Sequence, residues 1–322
     1  MKQPLTLEED DPRVVAARNA EAALFADLGI GAREHEVLLA EHGIKVRVLE
    51  IGNPDDEPVL VMPGNTGDVF PMSSLLSGFF GKRLICVNRP GGGLSEGLDH
   101  GAVDDLRRFV VTTVGAVLDA LAIERVDVVA HSMGAHWSLW FAIDRPQRVR
   151  RLALLGGPGN VLGAKPPLLL RVLAVSPFGG RLLAKFTAPK DADGALEPLT
   201  KMGHTAETLA KQPATLADAY FAFRQLPHYA TSLTTMTKNP PAHIDAAELA
   251  RVPQPTLLVL GSADTFATLE EGQKIVDALP NGTFAPIDNA GHLPWLDAPE
   301  ICSSLIQLFF STADVPVVDF ER

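Results

Sequence analysis

Cysteine is nearly absent from this chain, with two among 322 residues. So few cannot build a disulfide framework, nor an all-cysteine zinc site, which takes four thiolates. Cys86 lies in the apolar run Leu84-Ile85-Cys86-Val87, and Cys302 opens an apolar, helix-like stretch. Both read as buried thiols in a reducing compartment. Basic residues are also scarce: 28 Lys and Arg stand against 39 Asp and Glu, a formal net charge of −11. Neutralising phosphates takes clustered cations, so neither a nucleic acid nor an anionic membrane surface is expected as a partner. The plain consequence of the charge is solubility. No run approaches the ~18 uninterrupted apolar residues that a transmembrane helix needs. A secretory signal would need an early apolar run, where the chain instead carries Glu8-Glu9-Asp10-Asp11. A cytoplasmic location is therefore expected. Internal repeats and low-complexity linkers are absent. Gly91-Gly92-Gly93 follows a strand-like run but lacks the Gly-x-Gly-x-x-Gly spacing of a dinucleotide loop.

What the chain has is apolar material, 46% of its residues, enough for one sizeable core and a subsidiary layer. Short apolar runs alternate with longer helical patterns, which predicts a doubly wound, mostly parallel sheet. Val14 to Leu28, with Ala16, Ala17, Ala20, Glu21, Ala22, Ala23 and Leu24, reads as an N-terminal helix. Glu36–Leu39 and Ile44–Leu49 flank His42-Gly43 as a hairpin. Continuous apolar runs at 59–62, 84–87, 126–130, 152–155 and 256–260 read as buried strands, and 283–287 as a further one. With the hairpin that makes eight strands. Apolar residues three or four apart predict a helix over 106–121, and another spans about Gly134 to Ile143. Strand rhythm is lost between Pro158 and Leu249, where leucines cluster at 168, 169, 170 and 173. This segment is expected to be a helical insertion between strands six and seven. Phe178, Phe186, Tyr220, Phe221 and Phe223 lie within it, and they suit its own core better than a ligand pocket. The last residues, from about Ser311, read as a tail.

The sharpest chemical signal is Val128-Val129-Ala130-His131-Ser132-Met133-Gly134. A strand runs into Ser132, which has small residues two positions away on each side, and a helix follows. A tight strand-to-helix turn demands such small neighbours, because larger side chains would strike the adjoining elements. The turn lifts the Ser132 hydroxyl above the sheet edge and puts the Met133 amide at a helix N-terminus, where it can receive an oxyanion. The structural alternative is an N-cap serine. Asn289-Ala290-Gly291-His292 follows the last strand, and Gly261-Ser262-Ala263-Asp264 follows the strand before it. Either residue alone would be unremarkable, as a structural His or a turn Asp. Together they give nucleophile Ser132, acid Asp264 and base His292 in that order, each on the loop after a strand. Asp288 is read as serving its own turn and Asp297 as opening the next helix. After the 59–62 strand, Pro63-Gly64-Asn65-Thr66-Gly67 lets backbone approach a substrate, and the Asn65 amide is the candidate second oxyanion donor.

With these motifs in hand the chain resembles the α/β-hydrolase superfamily, in its single-cap, esterase-like subfamily, over nearly its whole length. The matching stretches include Ala130–Gly134, Gly261–Asp264, Ala290–His292 running into Asp297–Glu300, Asp144–Val149 and Arg89–Ser95. The resemblance implies a core of residues 1–157 and 250–322, with 1–33 as an N-terminal helical extension and 158–249 as a helical cap roofing the site. It implies acyl transfer with no metal and no organic cofactor, on a small-molecule substrate. Two departures stand out. Ala130 replaces the usual first Gly of the elbow, and Pro63-Gly64 replaces the usual His-Gly. A Ser nucleophile argues against the dehalogenase and epoxide hydrolase branches, which use a carboxylate. The Asn and Arg pattern of the carbon–carbon bond hydrolases is not evident. Hydrolysis of a small, largely apolar ester or lactone is the first expectation. Carbon–carbon hydrolysis or another triad reaction is the second, and a ligand receptor that keeps the triad is the third.

Overall fold

The computed structural model describes residues 6–97, 103, 105–163, 179, 182, 184–185, 188–231 and 241–312. Leu168, Leu169, Leu170, Leu173, Phe178, Phe186 and the tail beyond residue 312 lie outside them. Eight strands form one sheet: β1 (Ala32–Leu39), β2 (Ile44–Ile51), β3 (Pro58–Met62), β4 (Arg83–Val87), β5 (Val126–His131), β6 (Val149–Leu155), β7 (Thr256–Gly261) and β8 (Gly282–Ile287). Their spatial order is β1-β2-β4-β3-β5-β6-β7-β8. β2 runs antiparallel to β1 and to β4, and every other pairing is parallel.

The central strands are apolar throughout because both faces are covered. Val59, Val61, Val129, Ala153, Leu155, Leu257 and Val259 point into one buried layer. Their alternates Leu60, Met62, Val128, Ala130, Leu152, Leu154 and Leu258 point into the other. The second layer holds the Leu106–Ala120 and Met133–Asp144 helices. The first holds the Pro12–Asp27 and Pro299–Ser311 helices. Pro12–Asp27 starts where Asp11 caps it, accepting from the Arg13 amide at 2.8 Å, with Pro12 at the first turn where its missing N–H costs nothing.

Between β6 and β7 the described regular elements are a 3₁₀ segment Glu197–Met202, then helices Ala206–Ala210, Ala214–Arg224 and Ala246–Leu249, joined by turns and loops. Among the described residues there, a single bridge pairs Val161 with Ile244. Tyr220 and Phe223 are buried against Phe70, at ring separations of 5.0 and 4.5 Å, in the same layer as the N-terminal helix. They are packing residues, but they join the main core layer rather than a core of the insertion's own. No helix among the described residues is long and apolar enough to cross a membrane.

Parallel strands send all their C-terminal ends to one edge, and the register there matters. The chain leaves β3 toward β4 on one side and β5 toward β6 on the other, so β3 and β5 meet at a switch point, where open α/β sheets hold ligands. Met62 pairs with Ala130. Two residues further along each strand, Gly64 and Ser132 therefore lie side by side.

Candidate active site

Ser132 stands at φ 51° and ψ −115°, in a region that L residues seldom enter. Holding it there costs on the order of 1–3 kcal/mol, which the flanking strand and helix must supply. The Ser132 amide donates to the Leu155 carbonyl of β6 at 3.0 Å, and Met133 begins a twelve-residue helix. A side chain at position 134 would strike the Met62 and Pro63 carbonyl oxygens, which is why glycine stands there. Gly134→Ala should therefore destabilise the fold by about 1–3 kcal/mol, read as a lowered urea midpoint. An unchanged midpoint would mean that the elbow is slacker than its geometry implies.

The three residues singled out from sequence come together. His292 Nε2 lies 2.9 Å from Ser132 Oγ, and His292 Nδ1 lies 2.8 Å from Asp264 Oδ2. The His292 and Asp264 side chains are fully buried. A carboxylate only accepts, so the proton sits on Nδ1 and the Nε2 lone pair faces the Ser132 hydroxyl. Asp264 also accepts from the Gly157 amide at 2.9 Å and, through Oδ1, from the Phe266 amide at 2.7 Å. Burial alone would raise its carboxyl. The facing His292 and the two amides outweigh that and hold it below the ordinary Asp range. The loop after β6, which carries no carboxylate, thus contributes an amide that orients the one from β7. Asp288 is exposed. Asp297 corrects the sequence reading: the helix after it has no side-chain cap, and its carboxylate instead accepts from the Gly291 amide and pairs with His204.

The Asn65 and Met133 amides, expected to be oxyanion donors, make no backbone hydrogen bond among the described residues. Gly64 approaches so closely that an added Cβ would lie 3.6 Å from Ser132 Cβ and 2.7 Å from His131 Nδ1. The loop is held from behind by Arg89. Its Nη2 donates to the Gly64 carbonyl and, at 2.6 Å, to the Asn65 carbonyl. Its guanidinium lies 4.5 Å from the Trp137 ring centroid.

Several supporting residues carried no sequence signal of this role. Phe266 stacks on the His292 ring at 4.2 Å and 27°. His131, the residue before the nucleophile, donates from Nε2 to the His292 carbonyl at 3.1 Å, which places its lone pair at Nδ1. Burial, with the neighbouring His292 adding to it, holds His131 well below the usual His range, so it stays neutral. The single available clue to it was its adjacency to Ser132. Among the described residues no group of three or more His, Cys, Asp and Glu could hold a metal ion.

Residues 57–299 match the family model described as alpha/beta hydrolase fold. A relative from Paraburkholderia phymatum, named 2-hydroxy-6-oxononadienedioate/2-hydroxy-6-oxononatrienedioate hydrolase, is 30% identical over 215 residues, covering 66% of this chain and 70% of that protein. Among solved structures, carboxylesterase CesB of Bacillus subtilis superposes with a TM-score of 0.74 at 16% identity, over 92% of this chain and 97% of that one. A meta-cleavage product hydrolase of Pseudomonas fluorescens superposes with a TM-score of 0.69 at 18% identity, over 89% of this chain and 100% of that one.

Proposed function

Because the chain belongs to the alpha/beta hydrolase fold family, we propose that it is a serine hydrolase acting by acyl transfer on a small, largely apolar carboxylic ester or lactone. The observation that carries this reading is the unbroken chain of contacts from Ser132 through His292 to Asp264, at 2.9 and 2.8 Å. His292 takes the Ser132 proton as the oxygen attacks the carbonyl carbon. Asp264 keeps His292 in the tautomer that can do so and stabilises the imidazolium that results. The Met133 and Asn65 amides take the oxyanion, each worth roughly 3 kcal/mol to the transition state. The alcohol leaves with the His292 proton. Water then attacks the acyl-serine by the same route and releases the acid.

Residues 158–249 act as the cap in this proposal. Their Lys201–His204 turn bonds to both the acid loop and the base loop, which supports a place above the strand ends. The two free, buried cysteines suit a reducing cytoplasm.

A second reading, carbon–carbon bond hydrolysis, is favoured by the name of the Paraburkholderia phymatum relative. Electrostatics weigh against a dioate substrate. Two carboxylates call for dedicated cations, and a net charge of −11 repels a dianion. The guanidinium beside the oxyanion loop, Arg89, is buried and already bonded to two carbonyls. A panel of p-nitrophenyl esters of rising acyl length, run beside 2-hydroxy-6-oxononadienedioate, separates the readings. The expected result is saturable turnover of short and medium esters with kcat/KM near 10⁴ M⁻¹s⁻¹ or above, the low end of the usual enzyme range. Turnover of the dioate alone would establish the second reading. Binding of esters without turnover of either substrate would favour a receptor.

A further inference from the structure

His204 and Asp297 are buried, titratable and unused by the mechanism above. Their side chains are 0% and 8% exposed. His204 belongs to the insertion, and Asp297 lies five residues past His292. The Leu293 amide donates to His204 Nε2 at 3.2 Å, so that nitrogen presents its lone pair and the proton sits on Nδ1. Nδ1 in turn donates to Asp297 Oδ2 at 2.8 Å. The same carboxylate oxygen accepts from the Gly291 amide at 2.9 Å. The pair therefore brackets His292, holding the amide on each side of it.

The turn that carries His204 makes three further contacts. The His292 amide donates to the Met202 carbonyl at 2.9 Å. Thr265 Oγ1, next to Asp264, donates to the Lys201 carbonyl at 2.9 Å. Gly203, at φ 95°, presses on the Ala263 carbonyl and on Gly291, leaving no room for a side chain. Three successive amides, of Gly291, His292 and Leu293, are thus fixed by this turn and Asp297. The Thr208 hydroxyl also favours the Asp297 carboxylate, whose hold on Gly291 and His204 runs through Oδ2. Burial alone would raise the Asp297 carboxyl, but the His204 hydrogen bond and the Gly291 amide hold it below the ordinary range, as suits a charged acceptor.

We propose that His204 and Asp297 are a positioning pair, through which the insertion sets the backbone of the catalytic-histidine loop and keeps the His292 ring in reach of both Ser132 and Asp264. The proposal rests on the serine-hydrolase reading for its kinetic consequence, and on geometry alone for its structural one. A displacement of about 1 Å at such a group is enough to cost about 10²-fold in rate.

The test compares His204→Ala, Asp297→Ala and Asp297→Asn with wild type. Two quantities are measured: p-nitrophenyl ester kinetics, and the downfield NMR resonance of the His292 Nδ1 proton shared with Asp264. His204→Ala and Asp297→Ala are expected to lower kcat by about 10²-fold with KM within about threefold, and to shift or broaden the downfield proton. Asp297→Asn keeps an acceptor oxygen for Gly291 and His204, so it should recover most of the loss. Should His204→Ala not fold, His204→Asn replaces it: its NH₂ keeps a donor for Asp297, its carbonyl falls short of the Nε2 position that the Leu293 amide meets, and it should show the same kcat loss. Folded variants with unchanged kcat and an unchanged downfield proton would overturn the proposal, as would a loss confined to KM. If wild type turns over no ester, the serine-hydrolase reading fails, and the downfield proton still decides the positioning role.

Discussion

Ser132→Ala is expected to lower ester turnover by about 10⁶-fold, the scale seen when the nucleophile of a triad is removed. Folding should survive. The substitution removes one hydroxyl, whose partner in the fold is His292 Nε2, and the urea midpoint should move by no more than about 1 kcal/mol equivalent. The residual rate comes from the oxyanion amides and substrate binding, which remain. The check is steady-state hydrolysis of the best ester from the panel, beside urea unfolding. Turnover that stays within about tenfold of wild type would remove Ser132 from the chemistry.

Asp264→Asn is expected to cost about 10⁴-fold in kcat with the fold intact. The reason lies in donors and acceptors. Asp264 receives the Gly157 and Phe266 amides and the His292 Nδ1 proton, three donors on two oxygens. An amide in its place offers one acceptor oxygen. Gly157 and Nδ1 share Oδ2 while Phe266 uses Oδ1, so an oxygen kept on the Phe266 amide turns the NH₂ toward Nδ1, which favours the His292 tautomer with the proton on Nε2. That tautomer cannot accept from Ser132. Asp288→Asn is the control, since Asp288 is exposed, and it should leave kcat unchanged. Asp297→Asn should fall between them, far nearer to wild type. If Asp288→Asn or Asp297→Asn costs more than Asp264→Asn in a folded protein, Asp264 is not the acid.

The parts of this architecture that a reader of the sequence finds are those governed by local constraint. The elbow shows because a strained turn forces small residues at fixed offsets, Ala130 and Gly134, around Ser132. The strands show because burial on both faces makes them continuously apolar, and each chemical residue then falls at a known place, just past a strand end. Asp264 was recoverable by elimination, since the loop after β6 holds no carboxylate. Residues defined by partners far along the chain left no such trace. His204 meets Asp297 across 93 positions, and a lone histidine in a segment without strand rhythm has no pattern to betray it. Asp297 was misread for the same reason: next to Pro299 and a helical stretch it looks like a cap, while its actual partners are Gly291 and a side chain from the insertion. Arg89 was visible only as part of a matching stretch, because its bonds go to two carbonyls, which have no side-chain identity.

The central claim is that the Ser132 oxygen forms a covalent bond to the acyl carbon of a substrate. Intact-protein mass spectrometry with peptide mapping, after exposure to a fluorophosphonate and, separately, to acid-quenched p-nitrophenyl acetate turnover, tests it most directly. One adduct per chain is expected in each case, on the peptide containing Ser132, and none in Ser132→Ala. A stoichiometric adduct on another residue, or p-nitrophenyl acetate turnover without any reaction of Ser132, would contradict it.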